Sequence, residues 1–265
     1  MPERRDVDAG GVGLASPDDY RGSCGVGVVF DLGGAGGHDV LADGLELLEN
    51  LEHRGTTGAE PNTGDGAGVL VQIPHGFYAD ELDVELPPAR EYAVGTLFLP
   101  QDREAGERLR QLFETEFEAR GLEAFHWRDV PTDAEAADLG RTALESEPRV
   151  VQVFVRPADG LGADGMDAEA FDRALYVARR AVENRIDEEA PTGGERFYVC
   201  SLDRKTVVYK GLLKADQLPR YFPELTDERM ETTFAMVHAR FSTNTLGAWH
   251  LAHPYRTIIH NGEFN

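Results

Sequence analysis

Short apolar runs, each stopped within a few residues by glycine, proline or charge, punctuate this chain and restrict it to strand-rich folds. "GVGVVF" opens at Gly25, "GAGVLVQIP" runs from Gly66 to Pro74, "EYAVGTLFLP" from Glu91 to Pro100 and "RVVQVFV" from Arg149 to Val155. "RFYVCSL", "KTVVYK", "TFAMVHARF" and "YRTIIH" follow, the first two joined by a tight turn at Asp203-Arg204. Their length and β-branched content predict strands, and "GVGVVF" reads as a buried one. Three stripes of helical period lie between them. Val40, Leu41, Leu45, Leu48 and Leu51 form the first, ended by Gly55. Leu109, Leu112, Phe113 and Phe117 form the second, ended by Gly121, and Phe171, Leu175 and Val182 the third. The acidic stretch 131–147 reads as loop. This order predicts a sandwich with hairpin-linked sheets, because a doubly wound dinucleotide fold needs strict strand–helix alternation.

The first 23 residues are polar and glycine-rich, and read as a leader separate from a domain over 24–265. They lack the apolar stretch of a secretory signal, and no run approaches the roughly 18 apolar residues a membrane-spanning helix needs. Two cysteines, Cys24 and Cys200, are too few for a disulfide framework and fit a reducing cytoplasm. Acidic residues outnumber basic ones 48 to 26, for a net charge of −22. That field repels nucleic acid and anionic membranes. Only three of the basic residues are lysines, Lys205, Lys210 and Lys214, a balance that suits a halophilic cytoplasm in which salt screens self-repulsion.

Cys24 allows two readings: a small buried thiol, or a nucleophile. As a nucleophile it needs a base, and no histidine is near in sequence. Cleavage after Ser23 would free an α-amino group on the carbon that carries the thiol, and an amine with a pKa near 8 can take its proton. Arg54 stands in the glycine-rich segment "EHRGTTGAEPNTGDGAG", which lacks the Gly-Lys-Ser/Thr of a phosphate loop and better suits a wall over a small polar ligand. In "VHARFSTNT", His238 and Arg240 share a strand face, from which Arg240 can grip a carboxylate while Ser242 and Thr243 add hydroxyls. Asn261-Gly262 in "IIHNGEFN" offers either a hairpin turn or an amide and a backbone N–H aimed together as an oxyanion hole. Histidines 238, 250, 253 and 260 match no zinc spacing, so no metal is expected, and Cys200 reads as core.

Taken in order, "SCGVG", "LEHRG", "NTGDGAGVLVQIP", "YKGLL", "HARFSTNT" and "HNGEFN" resemble the glutaminase domain of glutamate synthase large subunits, a class II glutamine amidotransferase. The resemblance runs from Cys24 to Asn265 and implies an N-terminal-nucleophile (Ntn) hydrolase fold, an α+β αββα four-layer sandwich, here truncated at its C-terminus. It implies that Cys24 is the nucleophile, with Asn261 and Gly262 as oxyanion hole. Arg240 and Thr243 would bind the glutamine α-carboxylate, and Arg54 would belong to a substrate-responsive loop. The carboxylate that binds the substrate amino group would lie beyond Asn265. No cofactor is implied within this segment. FMN and an iron–sulfur cluster are implied for a synthase domain of the same chain, which aminates 2-oxoglutarate with electrons from ferredoxin or a nicotinamide-linked subunit. Amidophosphoribosyltransferase-like enzymes are the neighbouring alternative, opposed by "TGDGAG" and "STNT"; a degenerate, non-catalytic module is opposed by the joint presence of Cys24, Arg240 and Asn261. Intact-mass measurement of the full-length protein is expected to show a chain beginning at Cys24. A retained Met1 would leave the thiol without its amine.

Overall fold

The computed structural model describes residues 24–52, 60–162, 165–189, 193–239 and 247–260. Among the described residues, eight strands form two antiparallel four-stranded sheets. The first has the order β1 (Gly25–Phe30), β8 (Phe234–Ala239), β2 (Ala67–Gln72), β7 (Thr206–Gly211). The second has the order β4 (Leu122–Asp129), β5 (Arg149–Pro157), β3 (Ala93–Leu99), β6 (Tyr198–Asp203). The β6–β7 turn falls where Asp203 predicts it: its Oδ1 accepts the Lys205 and Thr206 amides at 2.6 and 3.2 Å. One face of the second sheet places Val94, Phe98, Val150, Phe154 and Cys200 in a core shared with Val69, Val207, Tyr209 and Val237 of the first. This is the expected α+β sandwich.

Helix α1 (His38–Asn50) buries Val40, Leu41, Leu45 and Leu48 as the stripe predicts, each such side chain contributing about 1.5–3 kcal/mol. It approaches the first sheet closely because glycines meet it there. A Cβ on Gly27 would lie 2.4 Å from Leu47 Cδ2, and one on Gly44 would lie 2.5 Å from the Ala235 Cβ. Gly55, the expected end of this helix, lies outside the described residues. The short helix α2 (His75–Glu81) follows β2. Helices α3 (Arg103–Glu118) and α5 (Ala168–Glu189) cover the outer face of the second sheet, where Leu109, Phe113 and Phe117 meet Phe171, Leu175 and Val182. Asp102 caps α3 by accepting the Ala105 amide at 2.7 Å, an interaction worth about 1 kcal/mol.

Several expectations are corrected. "GVGVVF" is an edge strand rather than a buried one: Val28 is 36% and Phe30 62% exposed, since only β8 pairs with β1 and α1 covers only the glycine side. "YRTIIH" is not a strand. Tyr255 and Ile258 bond each other across a tight turn at 2.9 and 2.8 Å, and the His260 carbonyl accepts from a side chain instead of from a ladder. Strand β4 and helix α2 were not expected from the pattern, and the 131–147 loop contains the single-turn helix α4 (Arg141–Glu145).

β4 escapes the apolar pattern because Arg128 points inward. Its guanidinium, with only 10% of the side chain exposed, donates to both Glu224 oxygens at 2.6 and 2.7 Å and to Gln152 Oε1 at 2.8 Å. Tyr209 donates its hydroxyl proton to Glu224 at 2.5 Å, and burial holds that phenol well above its usual range, so it remains a donor. The network ties β4 and β5 of one sheet to β7 of the other. Arg128→Met is expected to destabilise the fold by about 3–5 kcal/mol by stranding Glu224, and Arg128→Met/Glu224→Gln to recover part of that loss. Urea midpoints of the three proteins check this.

Candidate active site

Cys24 directly precedes β1 and is only 5% exposed. Around it the sheet gathers segments far apart in sequence. Gly25 pairs with Ala239, the last residue of β8, and Ala239 also pairs with Ala67, the first residue of β2. Leu51, just past the end of α1, packs on the same spot, since a Cβ on Gly25 would lie 2.8 Å from the Leu51 Cβ. Gly25 follows Cys24, and two of the other residues, with His260 below, lead into segments carrying expected site residues. Ala239 immediately precedes Arg240, Leu51 precedes Arg54 by three positions, and His260 precedes Asn261. Arg54, Arg240, Thr243, Asn261 and Gly262 themselves lie outside the described residues, as does Ser242.

His260 is tethered to the same sheet. Val26, His238, Gly68 and Lys210 are successive cross-strand partners, one row across β1, β8, β2 and β7. Directly opposed residues share a face, and a strap of residues 249–260 lies over this row. Lys210 Nζ donates to the His250 and Ala252 carbonyls at 2.9 and 2.7 Å, between the rings of Tyr198 and Tyr255. Gly68 leaves room for the strap backbone: a Cβ there would lie 2.4 Å from the His253 carbonyl oxygen and 2.9 Å from Pro254 Cδ. The His253 ring stacks on His238 with centroids 4.4 Å apart. His238 Nε2 bonds the His260 carbonyl at 2.7 Å, and since a carbonyl only accepts, the nitrogen is the donor. At the start of the strap, Trp249 fills the space beside Gly211 and donates to the Ala143 carbonyl at 3.1 Å.

These contacts revise the roles read from the sequence. His238, read from the sequence only as sharing a strand face with Arg240, lies fully buried under the strap. Two glycines of "TGDGAG" serve chain-to-chain contact, Gly68 under the strap and Gly64 against the Leu213 carbonyl, while Gly66 takes a positive φ of 132°. Among the described residues no group of three or more His, Cys, Asp or Glu side chains forms a metal set. Cys200 is core, as expected, and burial pushes its thiol up to about 12 despite Lys210 and Arg256 nearby. The sequence reading counted Lys210 but gave it no role, although a lysine inside the apolar "TVVYKG" run is a signal: lysine is almost never fully buried without partners. Burial lowers its pKa to about 8.

The family model for glutamine amidotransferases of class II matches residues 24–265. The chain is 40% identical over 254 residues to the NADPH-type glutamate synthase large chain of Bacillus subtilis, covering 96% of this chain and 16% of that protein. It is 37% identical over 253 residues to the corresponding large chain of Azospirillum brasilense, covering 94% of this chain and again 16% of the relative. With the ferredoxin-dependent glutamate synthase 1 of Arabidopsis thaliana it shares 38% identity over 248 residues, 92% of this chain and 15% of the plant protein. The chain thus spans about a sixth of the length of these curated relatives.

The stacked histidines make the fold sensitive to acid. Burial lowers His238 to about 4 and His253 to about 3, so both are neutral near pH 7. The unfolded chain takes up these protons from about pH 6.5 downward, the folded one only near 4 and 3. The unfolded state therefore binds more protons throughout that window, and stability falls as pH drops through it. His253→Phe, which keeps an aromatic ring over His238, is expected to flatten the loss between pH 6.5 and 5, read as urea midpoints. An unchanged slope would assign the loss to other groups, among them His126 and His250, which burial also lowers.

Proposed function

Because the chain belongs to the class II glutamine amidotransferases, built on the Ntn-hydrolase α+β sandwich, we propose that it hydrolyses glutamine with Cys24 as the N-terminal nucleophile. The observation that carries this reading is the meeting of Gly25, Leu51, Ala67 and Ala239 at one end of the first sheet, with His260 tethered to β8. Every segment that holds an expected site residue leaves the described structure from there. The family match also begins at Cys24 itself, in keeping with a leader over 1–23 and a domain over 24–265.

On this reading the freed α-amino group of Cys24 takes the thiol proton, and the thiolate attacks the side-chain amide carbon of glutamine. The tetrahedral oxyanion forms against the Asn261 side-chain amide and the Gly262 N–H; one such donor is worth about 3 kcal/mol of barrier. The C–N bond then breaks, and ammonia leaves with the proton carried by the terminal ammonium. Water hydrolyses the γ-glutamyl thioester and restores the thiol. Arg240 holds the α-carboxylate in two parallel bonds, assisted by Thr243, and Arg54 belongs to a loop over the bound substrate.

In the longer protein we place this domain beside a synthase domain that consumes the ammonia in aminating 2-oxoglutarate. FMN and an iron–sulfur cluster would serve that domain, with ferredoxin or a nicotinamide-linked subunit as electron donor. The charge balance supports a salt-rich cytoplasm as its setting. Among the described residues no helix is long and apolar enough to cross a membrane.

Cys24→Ala in the full-length protein is expected to abolish glutaminase activity with an unchanged circular dichroism spectrum; surviving turnover would refute the assignment. Arg240→Lys is expected to raise the glutamine KM strongly, because an ammonium cannot reproduce the planar fork. The electrophile diazo-oxo-norleucine should label Cys24 and spare Cys200.

A further inference from the structure

Lys210 is 1% exposed in a chain with only two other lysines. Among the described residues its partners are neutral: it donates to two main-chain carbonyls and faces two tyrosine rings. Burying an ammonium without a counter-ion is costly, so its position calls for a reason beyond packing. Its two acceptors, the carbonyls of His250 and Ala252, both belong to the strap. The rest of the row holds the same strap further along, through the absent Cβ of Gly68 beneath the His253–Pro254 backbone and through His238 on the His253 ring and the His260 carbonyl. The residue after His260 is Asn261.

We propose that Lys210 is a positioning residue for glutamine hydrolysis: by clamping the His250 and Ala252 carbonyls it fixes the strap that delivers the chain into Asn261 and Gly262. The inference rests on the reading of those two residues as the oxyanion hole. Lys210 touches neither substrate nor reacting atoms. Its effect passes along ten residues of backbone that are bonded to the sheet at Lys210 and again at His238. The tie at His238 sets where the strap ends, and the tie at Lys210 sets where it begins to cross the row. Both ties engage main-chain carbonyls, so the strap side chains can vary while its path is held. Three motif positions with no chemical part to play thereby act together as a floor for the strap: the lysine of "YKGLL", the last glycine of "TGDGAG" and the histidine of "HARF".

An oxyanion exists only on the way to and from the tetrahedral intermediate, so misplacing its donors lowers kcat and spares ground-state binding. A displacement near 1 Å is enough for about a hundredfold loss. The test uses the full-length enzyme matured at Cys24, with glutaminase kinetics scaled to the folded fraction. Lys210→Met, close in length and apolar, is expected to lower kcat about 10- to 100-fold with KM for glutamine within about twofold, while the wild type hydrolyses glutamine normally. A purely structural lysine would lower the melting temperature and leave kcat of the folded enzyme unchanged, which would overturn the proposal. An inactive wild type would instead overturn the underlying functional reading. If Lys210→Met does not fold, Gly68→Ala lifts the strap with Lys210 intact: the same selective loss of kcat supports the proposal, and an unchanged kcat defeats it.

Discussion

The register of β8 is the constraint on which the rest depends. This strand lies between β1 and β2, antiparallel to both, and Ala239 at its end faces Gly25 on one side and Ala67 on the other. Side chains alternate along a strand, so a slip of one residue would exchange its two faces. The faces here are not interchangeable. Ala235 and Val237 meet α1 at its Gly44, where the helix comes close. His238 points the other way and takes the strap. A slipped strand would drive an imidazole into the helix contact and leave the strap without its donor, so packing on one face and polar bonding on the other select the same alignment. That alignment joins Cys24 to the segments that continue into Arg240 and Asn261.

Two buried cations are stabilised in opposite ways. Arg128 has a carboxylate, Glu224, both of whose oxygens accept from its Nη2, with Gln152 and Tyr209 completing the network. Lys210 has only neutral acceptors among the described residues, and burial brings its pKa down to about 8. The difference follows from geometry. A planar guanidinium matches a carboxylate between two sheets, whereas a compact ammonium can gather carbonyls from a crossing backbone. The first arrangement joins sheet to sheet; the second joins sheet to strap.

Elements whose pattern was set by packing or by a polar contact between near neighbours in sequence were readable, and those set by a long-range polar contact were not. α1, α3 and α5 announced themselves because their buried faces are apolar throughout, and the Asp203 turn because its side chain bonds the amides that follow. β4 was missed because its inward Arg128 satisfies an ion pair that sequence spacing cannot reveal, Glu224 lying 96 residues away. "YRTIIH" has strand composition but no strand partner; Pro254 precedes it, and its last described carbonyl is taken by His238. Cys24 and Cys200 could be separated early, because one opens the first strand and the other lies inside an apolar run. Lys210 and Gly68 could not be assigned, since their meaning is a contact with a segment some 40 and 185 residues further along the chain.

That long-range contact also bears on why the motifs hold so many glycines, and one buried lysine, beside their reactive side chains. On the proposed reading the nucleophile carries its own base and needs few residues for proton transfer, which shifts the burden of specificity onto placement. Placement to within a fraction of an ångström over chain-distant segments requires that backbone bear on backbone. Only a residue without a Cβ permits such an approach at Gly68, and only a buried donor with several protons can hold two carbonyls at once, as Lys210 does. On that reading the ordered motifs hold two kinds of residue: a small set with chemistry, and a second set, Lys210, Gly68 and His238, that presses the strap against the sheet.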